Sequence, residues 1–406
     1  MNSPLQVPFH RPSIGSEEIN EVARTLESGW LTTGPRVKQF EQNFRSYVEA
    51  SHALAVNSCT AGLHLALAAL NIGPGDEVIT TPLTFCATVN VILHVGATPV
   101  LADVGLDGNL DPASVEARIT GNTRAILPVH LAGLPCDMNT LWSIAGEHRL
   151  SVIEDAAHAV GSHYFGRPIG TASADGYRCS DAVAFSFHPT KNMTTAEGGM
   201  VTTGTESVAE TMRLLCLHGI SKDAWNRYTD RGSWYYDVCA PGFKYNMSDV
   251  QASIGIPQLN KLEGFIAVRQ QYAQLYNELL ASVDEVELPP DKPHCRHAWH
   301  LYMLRLVLDK LEIGRAEFIN ALKERGIGTS VHFIPIPMHK FFRDFAGRPE
   351  NQCPRACELY PRLISLPLYP AMTEEQLEYT ARAVTEIAHK ARKHKLVAVG
   401  SCSGQS

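Results

Sequence analysis

No apolar run in this 406-residue chain reaches the ~18–20 residues that cross a bilayer. The stretch Met1 to Pro12 is polar and broken by proline, with no apolar signal-peptide core. Together these absences make a cytoplasmic location the expectation. Charged residues are scarce, at 19%, and 35 Lys plus Arg against 42 Asp plus Glu leave a net charge of −7. Such a balance exerts no general pull toward nucleic acid or an anionic membrane. The ten cysteines are scattered, and the one close pair, Cys353 and Cys357, has no second pair to complete a zinc or iron–sulfur site. Free thiols and no metal are therefore expected. No repeat and no low-complexity tract interrupts the body.

What is present is a core. Hydrophobic residues make up 45%, which excludes global disorder. Helix-like spacing covers residues 16–28 and 37–49, with the punctuated loop Ser28 to Pro35 between them. From residue 52, short apolar strands alternate with helices: Ala53 to Val56, Glu77 to Thr80, Pro99 to Ala102, Ala125 to Val129, Ser151 to Glu154, Ala182 to Ser186 and Gly199 to Thr203. The intervening helices include Ala61 to Leu70 and Phe85 to Val95. The alternation predicts an α/β fold with a mostly parallel sheet covered by helices. Residues 248–283 read as one long helix with a possible kink at Pro257. Beyond it, strands Trp299 to Val307 and Thr329 to Phe333 and helices Arg315 to Arg325 and Thr373 to Arg392 describe a smaller α+β unit. The expected divisions are 1–260 for the N-terminal segment and large domain, 261–395 for the helix end and small domain, and 396–406 for a frayed tail.

Ligands in parallel-sheet proteins bind beyond the carboxyl ends of strands. Four segments stand there. In the first, strand Ala182 to Ser186 runs into Phe187-His188-Pro189-Thr190-Lys191, and Glu197-Gly198-Gly199 precedes the next strand. A lysine at a strand end forms a Schiff base when burial lowers its pKa; otherwise it is a solvated surface lysine. In the second, Glu154-Asp155-Ala156-Ala157-His158 ends an apolar strand with two acids. A buried carboxylate there needs a partner, such as a pyridinium nitrogen; a helix cap or a metal ligand is the other reading. In the third, Asn57-Ser58-Cys59-Thr60-Ala61 starts a helix, which is either an anion site or an ordinary N-cap. In the fourth, Phe85 follows a strand, to cover a planar ring or simply to pack in the core.

These segments, with Pro241 to Asn246, resemble the fold-type I pyridoxal 5'-phosphate (PLP) nucleotide-sugar aminotransferases. The resemblance covers about residues 8–390. The stretches His297-Ala298-Trp299-His300 and Lys323 to Thr329 look most like the branch that aminates UDP-linked 4-keto-arabinose in lipid A modification. It implies that Lys191 holds PLP and that Asp155 pairs with its ring nitrogen. It further implies that His158 lies against the ring, that Phe85 stacks on it, and that Thr60, Ala61 and Ser186 bind the phosphate. Lys244 and Asn246 would reach a partner subunit's cofactor, in a homodimer with composite active sites. Lys191 stands where a deoxygenating subset of the family carries His, which argues for transamination.

The implied reaction moves an amino group from glutamate to a nucleotide-linked keto-sugar, leaving 2-oxoglutarate. Position C4 of a UDP-4-keto-sugar is the leading expectation. The rivals are a dTDP- or GDP-linked 4-keto-6-deoxyhexose and a 3-keto-sugar. Gly29, Trp30, Thr33, His332 and Phe333 are expected to border the sugar. A non-catalytic regulator of the same fold is the distant alternative, opposed by the intact Lys191, Asp155 and Ser186. A Rossmann oxidoreductase fails because no Gly-x-Gly-x-x-Gly follows the first strand.

Overall fold

The computed structural model describes residues 5–171, 179–220, 236–346 and 352–393. The tail expected from residue 396 lies outside them. Seven strands form the main sheet, in the order His52–Val56, Gly199–Thr203, Ala182–Ser186, Ser151–Asp155, Thr123–Leu127, Glu77–Thr80, Thr98–Leu101. Six run the same way. Gly199–Thr203 alone is reversed, pairing antiparallel with both neighbours. Six carboxyl ends, and the start of the reversed strand, therefore meet at one edge of the sheet.

The sheet is buried on both faces, which is why its strands read as continuous apolar runs. Helix Cys59–Ala69 packs so closely on it that a Cβ at Gly62 would lie 2.6 Å from Val201 Cγ2. Ser58 caps this helix, its Oγ accepting from the Ala61 N–H at 3.1 Å. Helix Pro35–Tyr47 inserts Phe40 and Phe44 against Phe185 and Phe187 on the other face.

The long helix Asp249–Leu280 is continuous through Pro257 and starts with a capping box formed by Ser248 and Gln251. Its first half packs on the large sheet's core. Its second half joins a separate core through Tyr272, Ala273, Tyr276 and Leu280. That core holds the antiparallel sheet Val286–Glu287, Tyr302–Leu306, Leu363–Leu366 and the helices Arg315–Glu324 and Glu374–Lys390.

Two local expectations are corrected. Thr329 to Phe333 is not a strand. Ser330 makes one two-bond bridge with Ser365, after which His332 Nδ1 is held at 2.8 Å from Ser365 Oγ and the ladder stops. The helix expected from Phe85 begins at Ala87, so Phe85 lies in the preceding loop.

Candidate active site

A cavity of about 420 Å³ opens where the strand ends meet. Ser58 and Thr60 enter it from the start of helix Cys59–Ala69, and Thr84, Phe85 and Thr88 from the next strand–helix connection. Asp155 and His158 follow their strand, and Ser186, His188 and Lys191 follow theirs. His300, His332 and Phe333 close it from the second core, and Phe9 and His10 from the N-terminal segment.

Local packing explains the glycines of Glu197-Gly198-Gly199. A Cβ at Gly199 would lie 2.7 Å from Cys59 N and from Phe185 O, so only glycine lets the capped helix start sit against the strand end. The lysine turn is tight, with Lys191 N–H donating to His188 O at 2.9 Å. Thr194 Oγ1 and Thr195 N–H both close on Phe187 O at 2.9 Å.

Lys191 is mostly buried, and among the described residues its amine makes no hydrogen bond or ion pair. Burial pushes its pKa down from 10.5 to about 8, against the attraction of Asp155 and Cys59. A measurable consequence follows for the apoprotein. The amine captures an aldehyde only when neutral. Capture of PLP should therefore rise with pH up to about 8 and then level off. An ordinary lysine would keep climbing toward 10.5. Stopped-flow absorbance against pH measures this.

The two acids at the end of Ser151–Asp155 face opposite ways. Glu154 accepts from Ser180 Oγ and lies 2.6 Å from His130 Nε2. The Cys136 N–H donates to His130 Nδ1 at 3.1 Å, so Nε2 carries the ring proton that goes to Glu154. That acid is satisfied. Asp155 faces the cavity. Its Oδ2 accepts from Thr88 Oγ1 at 2.8 Å and its Oδ1 from the Ala157 N–H at 3.1 Å. Thr84 and Thr88 hydroxyls lie 2.7 Å apart, so Thr84 donates to Thr88 and Thr88 to Asp155. Among the described residues Asp155 has no ion-pair partner, and burial raises its pKa despite these donors. A buried carboxylate served by hydroxyls but lacking a cation fits the protonated ring nitrogen of PLP, just as the unpartnered Lys191 amine fits its aldehyde.

His158 is also fixed. The Ala132 N–H donates to its Nδ1 at 3.2 Å, leaving the proton on Nε2. Its ring lies 4.4 Å from His300 and 5.7 Å from Phe333. Burial, Lys191 and His332 hold its pKa well below 6.5, so it is a neutral donor. Phe85 is 61% exposed, which removes core packing as its role, and its ring faces Phe333 at 6.2 Å.

The structure thus brings Thr60, Phe85, Asp155, His158, Ser186, Lys191, His332 and Phe333 to one cavity. Six expected residues are elsewhere. Ala61 is buried outside the lining, with its N–H committed to Ser58. Gly29, Trp30 and Thr33 form a loop that packs on the turn before the long helix rather than on the cavity. Thr33 Oγ1 donates to Met247 O and accepts from Asn246 Nδ2, both at 2.6 Å. Asn246 is spent there, and Lys244 is exposed. Sequence reasoning missed Thr88, His10 and His300. The spacing of Thr84 and Thr88, one helical turn apart after a strand end, was a usable sign for the first. Nothing local marks His10, and His300 stands out only as part of the stretch His297 to His300 quoted for its resemblance.

Residues 12–385 match the DegT/DnrJ/EryC1/StrS aminotransferase family. An uncharacterized protein of Methanocaldococcus jannaschii is 50% identical over 387 residues, 95% of this chain and 98% of that one. The spore coat polysaccharide biosynthesis protein SpsC of Bacillus subtilis is 49% identical over 383 residues, 94% of this chain and 97% of that one. Among solved structures, the PLP form of a putative sugar aminotransferase from Streptococcus pneumoniae is similar, with a TM-score of 0.87 and 33% identity. That match covers 95% of this chain and 99% of the other.

Proposed function

We infer the reaction from one premise: the chain belongs to the DegT/DnrJ/EryC1/StrS aminotransferase family. It is a PLP-dependent sugar aminotransferase acting on a nucleotide-linked sugar. The observation that carries this is one cavity that holds the Lys191 amine, with no hydrogen bond among the described residues, and the Asp155 carboxylate, with no ion-pair partner among them. When bound, PLP supplies a ring that accepts the electron pair left at the donor's α-carbon.

Each residue then has a task. Lys191 Nζ would hold the cofactor and, as a free amine, would take the α-proton of glutamate as base and later give a proton back as acid. Asp155 keeps the ring nitrogen protonated, with Thr88 and the Ala157 N–H steadying the carboxylate. The Ser58 and Thr60 hydroxyls, at the start of helix Cys59–Ala69, and the Ser186 hydroxyl, at its strand's end, would receive the phosphate. Phe85 and His158 would lie against the ring. His332 and Phe333 border the sugar.

For the acceptor we propose C4 of a UDP-linked 4-keto-sugar of the arabinose type, on the residue stretches quoted from His297 to His300 and from Lys323 to Thr329. A dTDP- or GDP-linked 4-keto-6-deoxyhexose or a 3-keto-sugar is the second reading. The aminated enzyme, mixed with a panel of keto-sugars in single-turnover absorbance experiments, should react faster with the nucleotide-linked compound than with the free sugar. Binding of the remote nucleotide positions the carbonyl. Equal rates would remove nucleotide recognition from the reading.

The site is proposed to be shared between two copies of the chain. Among the described residues the cavity lining holds no arginine and one lysine, Lys191, beside two acids, Asp155 and Glu197. Phosphate and carboxylate groups need further cations. Lys244 is exposed, on a turn tied to the phosphate-side loop by Asn57 N–H to Tyr245 O at 2.7 Å. From that turn it reaches a neighbour's phosphate in a homodimer. Mixing Lys191→Ala with a Lys244→Ala/Asn246→Ala variant under subunit exchange should restore roughly a quarter of wild-type activity, since half the dimers are mixed and each has one intact site. No recovery after demonstrated exchange, with the second variant inactive alone, means each site lies within one chain.

A further inference from the structure

Residues 5–15, before the first helix, form no helix or strand beyond a single bridge at Val7, yet Phe9 and His10 line the cavity. Val7 is fully buried and pairs with Ile327: its N–H donates to Gly326 O at 2.9 Å and its carbonyl accepts from the Gly328 N–H at 2.8 Å. Gln376 Nε2 donates to Gln6 O at 3.1 Å. This end of the segment is thereby fastened to the second core. Phe9 then stacks on His332 at 5.8 Å and 24° over the cavity.

The other end is fastened to the lysine turn, and at two points. His10 Nε2 lies 2.6 Å from Pro189 O. A carbonyl only accepts, so Nε2 carries the proton. Burial and the Arg269 cation hold the His10 pKa at about 4, and His188 and Lys191 act the same way against the contact with Pro189, so the ring is neutral. Three residues further on, Gln258 Nε2 donates to Ser13 O at 2.7 Å, and Gln258 Oε1 accepts from the Thr194 N–H at 3.3 Å. Pro189 and Thr194 bracket Lys191. Both sides of the lysine turn therefore lean on one short segment from the far end of the chain.

We propose that residues 5–13 are a clasp that sets where the Lys191 amine stands in the cavity, with His10 as its positioning residue. The clasp works through Pro189. A turn anchored by its carbonyl has one course for the side chain two residues later, and a lysine with four rotatable bonds gains most from having its backbone fixed. His10 touches no reacting atom in this role. The proposal rests on Lys191 being the cofactor-bearing lysine.

The test uses three full-length variants. His10→Gln keeps an N–H at nearly the reach of Nε2. His10→Asn keeps polarity but falls short of Pro189 O. His10→Phe keeps the ring without the donor. PLP is added to each apoprotein, trapped with borohydride, and the pyridoxyl label located by peptide mass. Asn and Phe variants should capture PLP at Lys191 about tenfold more slowly and lose about tenfold in kcat, the effect of one hydrogen bond, with KM for glutamate within about twofold. The Gln variant should stay within about threefold of wild type on both measures. Wild-type capture rates and kcat in the Asn or Phe variant overturn the clasp, as does a Gln variant as slow as Asn. A label on a different lysine in the wild type instead overturns the assignment of Lys191, so the two failures are distinct.

Discussion

Lys191→Ala should lower steady-state transamination by at least about 10⁴-fold, because one residue serves as both covalent anchor and proton carrier. The absorbance band of lysine-bound PLP should vanish with it. Added PLP should still bind, held by the phosphate and ring contacts, but should dialyse away. In the wild type, borohydride should attach a pyridoxyl mass to the peptide that contains Lys191. The physical reason to single out this lysine is its solvation. Its amine faces a cavity with an acid nearby but, among the described residues, no bonded partner, and burial has brought it to about 8, where a neutral fraction is available at working pH. Residual turnover within a hundredfold of wild type would show that a different base carries the proton.

Asp155→Asn should cost about 3–4 kcal/mol of transition-state stabilisation, roughly a hundred- to a thousandfold in kcat/KM, as expected for removing one member of a buried charge pair. The apoprotein should respond in the opposite sense. Burial raises the Asp155 pKa above 3.8, so the carboxylate anion costs folded-state stability at all pH values above that ordinary value, and the cost disappears below it. Asparagine never pays that cost. Its carbonyl still accepts from Thr88 or Ala157. The Tm of the apo variant at neutral pH should therefore equal or exceed that of the wild-type apoprotein, while the PLP-dependent rise in Tm shrinks. Calorimetry with and without PLP measures both. A variant that transaminates at the wild-type rate would remove Asp155 from its role.

The α/β architecture was legible because most strands of the main sheet are short apolar runs, several of them ended by polar residues such as Asn57, Asp155 and Ser186, and because stretches of helix-like spacing separate them. The same punctuation marked Asp155, Ser186 and Lys191, which lie within a residue or a few of a strand's end. Three kinds of feature escaped. Thr329 to Phe333 has strand-forming residues, but only Ser330 finds a partner, and no local pattern reveals a ladder one residue long. His10 meets Pro189 across 179 positions, and a single side chain carries no periodicity that points so far. The third concerns sidedness. Gly29 to Thr33 and Pro241 to Asn246 read as binding turns, and both are turns, yet they brace one another through Thr33 and Asn246 away from the chain's own cavity. Sequence spacing identifies polar loops; it does not say which molecule's cavity a loop serves.

Glu154 and Asp155 are chemically near twins, and only the pleat of their strand tells them apart. Side chains alternate between faces along a strand, so neighbouring positions look into different rooms. With the strand's start held, inserting one residue between Ser151 and Ile153 would bring Glu154, one methylene longer, to the place Asp155 holds, and would turn Ile153 toward His130. Deleting one would set Asp155 before His130 and leave Ala156 facing the cavity. Composition, charge and hydrophobicity would scarcely change. The chain's parity over those few residues is therefore a coded quantity in its own right, which substitution scans do not sample and single-residue indels would.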